Sequence, residues 1–106
     1  SLHDALPILM KDLEWFKKEV APYLTDYEIQ YRFYSEGDFG SLTQANFNSK
    51  RKGGGIDFWG LGWLGVDLYD YEKDEEVLNV LLEDNEIEEQ DQLLEKLKKI
   101  LLSDME

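Results

Sequence analysis

The feature that most constrains the fold is a double change of hydrophobic period along the chain. From Leu9 to Ala21 the apolar residues fall at Leu9, Leu13, Phe16 and Val20. That spacing of four, three and four residues lays one stripe along an α-helix. Pro22 marks its end, because the residue before a proline is pushed out of the helical region. From Tyr27 to Tyr34 the period becomes two: Tyr27, Ile29, Tyr31 and Phe33 share one face, and Glu28, Gln30 and Arg32 the other. A half-buried β-strand has this pattern. Beyond Tyr71 the helical spacing returns, so the chain is expected to be α+β.

The middle of the chain reads as a meander. Glu36-Gly37-Asp38-Phe39-Gly40 is a turn, and Ser41 to Ser49 a second strand with Thr43, Ala45 and Phe47 inward. Lys50-Arg51-Lys52 followed by Gly53-Gly54-Gly55 reads as a flexible hairpin connection. Ile56 to Trp59 is a third strand, Gly60-Leu61-Gly62 a tight turn, and Trp63 to Tyr71 a fourth strand with Leu64, Val66 and Leu68 inward. Val77, Leu78, Leu81 and Leu82 are expected on one helix, with a break at Asp84-Asn85. Leu93, Leu94, Leu97, Ile100 and Leu101 mark a last helix. The expected architecture is an N-terminal helix, a four-stranded antiparallel meander sheet and two C-terminal helices packed on that sheet.

The chain has 106 residues, a length that suits one domain. No repeat, linker or low-complexity tract divides it. Residues 1–8, Ser-Leu-His-Asp-Ala-Leu-Pro-Ile, resemble the translation of a common sequencing adapter. They are set aside as a non-native tail, leaving residues 9–106 as the domain; an ordinary flexible tail is the alternative. There are 24 acidic and 11 basic side chains and a net charge of −13. Residues 72–106 carry −9 of it, from 13 acids and 4 bases. Such a chain repels phosphates, which argues against nucleic-acid binding. No apolar run approaches the ~20 residues of a membrane span. Without cysteine there is no disulfide, thiolate nucleophile or cysteine zinc site, and the sole histidine, His3, lies in the tail.

The remaining chemistry is carboxylate chemistry. Glu36, Asp38, Asp57, Asp67 and Asp70 fall in the turn and on neighbouring strands, where a pair of acids could support glycoside hydrolysis. The spacing is not diagnostic, and solvated surface charge explains the same residues. Glu83-Asp84-Asn85-Glu86 and Asp70-Tyr71-Glu72 offer oxygen ligands, yet neither segment matches an EF-hand loop. No metal or cofactor is expected. Gly60-Leu61-Gly62-Trp63-Leu64-Gly65 fits a dinucleotide-binding pattern in letters only, since strand alternation continues where that motif needs a helix.

Strand alternation also sorts the aromatic residues. If Ile56 and Phe58 face the helices, Asp57 and Trp59 face away, and so do Trp63, Asp67, Tyr69 and Tyr71. Tryptophan and tyrosine beside carboxylates have the composition of an interaction surface. A sheet covered on both faces is the alternative. Together with Glu36 and Asp38, these six residues form the expected partner-binding set.

Ser35-Glu36-Gly37-Asp38-Phe39-Gly40-Ser41-Leu42 and Ile56-Asp57-Phe58-Trp59-Gly60-Leu61-Gly62-Trp63-Leu64-Gly65 resemble stretches of small bacterial proteins. In outline, from about Leu13 to Leu101, the chain is similar to the immunity proteins of polymorphic and contact-dependent toxin systems. That resemblance implies a cytoplasmic, non-enzymatic protein that occludes the active site of a basic, nuclease-like toxin. It assigns no binding residue. The expected partner is a basic protein, with the chain itself a monomer or weak dimer. An adaptor or subunit acting through protein contacts, or a carboxylate-dependent hydrolase, are the rival readings.

Overall fold

The computed structural model describes residues 11–103. Leu9, Met10 and the adapter-like tail of residues 1–8 lie outside the described residues. Helix α1 runs Leu13–Glu19. Asp12 caps it, its carboxylate accepting the Trp15 backbone N–H at 3.0 Å, and Lys17 and Lys18 sit in the last turn, where the helix dipole favours cations. The helix ends before Pro22, which opens a short 3₁₀ turn, Ala21–Tyr23. Five strands follow: β1 Glu28–Tyr34, β2 Leu42–Asn48, β3 Lys52–Trp59, β4 Leu64–Asp70 and β5 Glu75–Leu82. Helix α2, Ile87–Ser103, closes the described chain.

The strands form one antiparallel sheet in chain order, each paired with its sequence neighbours. Registered rows cross it on the helix-covered face. Ile29, Phe47, Gly54, Leu68 and Leu78 make one row, and Tyr31, Ala45, Ile56, Val66 and Val80 the next. Phe16 and Val20 of α1, Leu24, and Leu93, Leu94, Leu97 and Leu101 of α2 pack on this face to form the core. Phe16 stacks on Phe47 with ring centroids 6.0 Å apart. The leucine stripe expected near the C-terminus is therefore the buried face of α2.

Two expectations are overturned: β3 is longer than expected, and the segment expected as a helix before Asp84 is a fifth strand, so four strands and three helices become five strands and two helices. The first concerns the glycine triplet. Gly53, Gly54 and Gly55 are not a connection but the middle of a ladder, paired with β2 on one side and β4 on the other. The hairpin turn lies earlier, at Ser49–Lys52. There the Ser49 N–H donates to the Lys52 carbonyl at 2.8 Å, and the Ser49 hydroxyl accepts from the Arg51 and Lys52 N–H groups. Glycine is required at Gly54, where neighbouring backbone takes the space for a side chain, while at Gly53 the nearest atoms are side-chain ends. A Cβ on Gly54 would lie 2.1 Å from the Asp67 carbonyl oxygen, and one on Gly53 2.1 Å from the Tyr71 hydroxyl.

The second correction is β5, expected as a helix. Leu78, Val80 and Leu82 point to the core, in register with Leu68, Val66 and Leu64 of β4. A bulge between Leu68 and Tyr69 leaves Val77 as an extra residue, since Leu78 opposes Leu68 and Glu76 opposes Tyr69. The extra residue sets Val77 beside Leu78 and breaks the alternation, which is how a strand acquires a helix-like stripe. The turn into β5 places Asp74 at φ 53°, a left-handed conformation that aspartate tolerates better than most residues.

Gln90 ties α2 to the sheet. It is buried, and its side-chain amide donates to the carbonyls of Gly62 at 2.9 Å and Glu83 at 2.8 Å. Lys98 reaches Glu19 at 3.5 Å, linking α2 back to α1. Among the described residues no helix is long and apolar enough to cross a membrane.

Candidate functional site

The helices cover one face of the sheet, and the other carries a different set of side chains. Alternation and register place Arg32, Gln44, Asp57, Gly65 and Leu81 in one row across it, and Gln30, Asn46, Gly55, Asp67 and Asn79 in the next. Apart from Arg32 and Leu81, these rows are amides, carboxylates and glycines rather than the β-branched residues a second packed layer would need. No described helix covers them.

At the β3–β4 side of this face lies a groove of about 300 Å³ with Gly65 in its floor. Asp38, Asp57 and Asp67 line it, alongside Trp59, Asn79 and Leu81. The Asp57 carboxylate accepts the Gln44 side-chain amide at 2.9 Å. The Asp67 carboxyl is held above the ordinary carboxylate range. Its partial burial is the main cause, and the negative charges of Asp57 and Glu76 add to it; hydrogen bonds from nearby backbone offset part of the effect. Among the described residues, neither Asp57 nor Asp67 is ion-paired with a lysine or arginine. The bases pair elsewhere: Lys11 with Asp91 and Glu95, Arg51 with Asp26, and Lys52 with Asp70. The groove is a negatively charged recess.

The aromatic members of the expected set divide. Trp59 and Trp63 are half-buried and pack with the loop between β1 and β2. Phe39 stacks on Trp63 at 4.0 Å with the rings 4° from parallel, and meets Trp59 edge-on at 5.2 Å. Trp59 therefore forms a wall of the groove, while Trp63 stands behind Phe39 and supports it. Among the described residues, the buried Trp59 indole N–H has no hydrogen-bond partner. Tyr69 and Tyr71 lie toward the opposite end of the sheet, with ring centroids 5.8 Å apart. Their hydroxyls donate to Asp74 at 2.5 Å and Asn48 at 2.6 Å. Glu36 is exposed in the β1–β2 loop, outside the groove lining.

The structure thus brings together Asp38, Asp57, Trp59 and Asp67 and leaves Trp63, Tyr69, Tyr71 and Glu36 outside the groove lining. No family model matches the chain, and no curated protein or solved structure matches it either. The geometry alone must carry the functional reading. Sequence reasoning missed Asn79 and Leu81, because β5 was expected to be helical. It also missed Phe39, whose place between two tryptophans no local pattern reveals.

The segments considered as oxygen-ligand sources have structural duties. Asp70 caps its own turn, accepting the Glu72 and Lys73 N–H groups at 3.0 Å each; these bonds, with Lys52 nearby, hold its carboxyl below the usual range. Glu86 turns back to accept the Glu83 N–H at 2.9 Å at the entry to α2. Among the described residues, no three acids converge as a metal site. The Gly60–Gly65 pattern spans a turn and the start of β4, and no helix follows it.

Proposed function

We propose that this chain is a non-enzymatic binding protein of the immunity type, which neutralises a basic, nuclease-like toxin domain by lying across its active site in the cytoplasm. The observation that carries this reading is the carboxylate recess on the uncovered sheet face, where Asp57 and Asp67 stand without a cation among the described residues. A lysine or arginine from a partner entering the groove would meet the charge that the fold leaves uncompensated. It would also return the Asp67 carboxyl toward its ordinary range. Trp59 and Leu81 would give that side chain's aliphatic stem an apolar wall. The −13 net charge would speed encounter with a cationic surface, and occlusion needs no catalytic constellation.

The test is affinity capture from a lysate of the organism that encodes the chain, comparing wild type with Asp57→Asn/Asp67→Asn. Capture of a basic toxin or nuclease domain, weakened at least about tenfold by the double substitution and by raised salt, is the expected result. Retention of the same partner by both proteins would remove the groove from the reading. A captured partner without basic character or toxin activity would remove the immunity assignment and favour an adaptor.

A further inference from the structure

The edge formed by β1 carries a second surface, separate from the carboxylate groove. In the described sheet, β1 has β2 on one side and no strand on the other. Its seven residues, Glu-Ile-Gln-Tyr-Arg-Phe-Tyr, contain no proline, lysine or glycine, and their pairing with β2 runs without a bulge. Those are the features that ordinarily protect an edge from pairing. The opposite edge, β5, differs in one of them: its pairing with β4 carries a register shift at Val77.

Three exposed large aromatic side chains, Tyr31, Phe33 and Tyr34, lie on β1 as well. Tyr31 and Phe33 belong to the helix-covered face, and the period-two pattern predicts both inward. The structure corrects this: α1 reaches Tyr31 through the edge of Phe16 and through Lys17, which lies 4.9 Å over the Tyr31 ring. Phe33, two residues on, is 67% exposed, and Tyr34 on the other face is 44% exposed.

We infer that β1 is the dimerisation edge of this protein, pairing antiparallel with β1 of a second copy to make a continuous ten-stranded sheet. The occupant is a second copy because the strand is complementary to itself. A two-fold axis perpendicular to the sheet keeps like faces together, so the residue numbers of each opposed pair sum to an even number. Centring the axis on Gln30 sets Glu28 against Arg32 of the second copy, twice by symmetry. The same register places Ile29 against Tyr31 on the core side and sets Phe33 opposite the chain just before the second copy's β1. Registers centred on Glu28 or Arg32 would oppose like charges. The strand itself carries one acid and one base, so its edge is neutral on a chain of net charge −13. This inference does not depend on the groove or on the proposed toxin partner.

Sedimentation equilibrium of the full chain over a wide concentration range tests it, with circular dichroism reporting the fold. The expected result is a concentration-dependent doubling of mass. Phe33→Glu and Arg32→Glu each should raise the dimer dissociation constant by about tenfold or more with an unchanged spectrum. The exchange Glu28→Arg/Arg32→Glu restores opposite charges and should restore the dimer. A wild-type chain that stays monomeric throughout overturns the inference, as does a dimer indifferent to both single substitutions. Failure of the exchange to restore what Arg32→Glu removes would overturn the Gln30-centred register.

Discussion

In the proposed binding role, Asp67 would serve binding at the expense of folding. Its carboxyl sits partly desolvated between strands, facing the charges of Asp57 and Glu76. Its folded-state pKa is therefore above the unfolded value of ~3.9, and the ionised form costs stability at neutral pH. As pH falls through the folded value, the carboxyl takes a proton more readily in the folded state, and the cost disappears. Asp67→Asn should accordingly stabilise the fold at pH 7 by about 0.5 kcal/mol, a small figure because the side chain is largely exposed to solvent. Urea denaturation of both proteins at pH 7 and at pH 3 checks this. The difference should be present at the first and absent at the second, where the wild-type carboxyl is neutral in both states. A neutral or destabilising effect at pH 7 would show that the backbone hydrogen bonds outweigh the charge repulsion. The substitution expected to weaken capture of a cationic partner is thus also expected to strengthen the fold, a trade characteristic of functional residues.

Among the strands, β3 is the one whose character comes from its neighbours. Gly54 lies between Phe47 and Leu68 in the core-side row, and the Asp67 carbonyl occupies the position its Cβ would take. Gly54→Ala should cost about 2 kcal/mol or more, because the obstructing atom is backbone and can retreat only by moving β4. Thermal unfolding measures it; a loss within 0.5 kcal/mol, on the order of an ordinary surface substitution, would show that the ladder has room to give. The same geometry explains which elements could be read in advance. In β4 the alternation is unbroken, and in α2 the leucines recur at helical spacing, so local pattern and tertiary environment agree; in β1 the alternation gives the strand but not its exposure. For β3 they conflict: three glycines have high turn propensity, and only the Asp67 carbonyl of the neighbouring strand makes one of them, Gly54, obligatory. For β5 the bulge at Val77 shifts the phase and disguises period two. The candidate site was readable to the same degree. Asp57, Trp59 and Asp67 followed from alternation, whereas Asn79 and Leu81 depended on the misread β5. The packing of Phe39 against Trp63 depended on a loop conformation that no spacing encodes. Phe33 was assigned to the correct face but not to its exposure, because a period of two says nothing about how far a helix reaches along a strand.

Across the molecule, charge sets two responses to salt of opposite sign. The 13 excess negative charges lie mostly beyond Tyr71, and the described ion pairs engage the bases at Asp91, Asp26, Asp70 and Glu19 rather than on the uncovered face. Self-repulsion of the folded chain is therefore long-ranged and open to screening, whereas most of these pairs are short and exposed, so each contributes little. Raising ionic strength from 0.01 M to 0.1 M shortens the screening length from ~30 Å to ~10 Å, which removes repulsion between distant carboxylates but leaves close contacts. The melting temperature should rise, by roughly 4–8 °C for each ~1 kcal/mol of repulsion relieved in a domain of this size. Scanning calorimetry across that range measures it. A falling melting temperature would mean that the ion pairs outweigh the repulsion and that the −13 charge is distributed more favourably than its total suggests. Association with a cationic partner should respond the other way, its rate dropping as the same screening removes steering. A chain that becomes more stable as its partner's approach slows holds its excess charge at a cost to folding, which is the arrangement expected when that charge is there for another molecule.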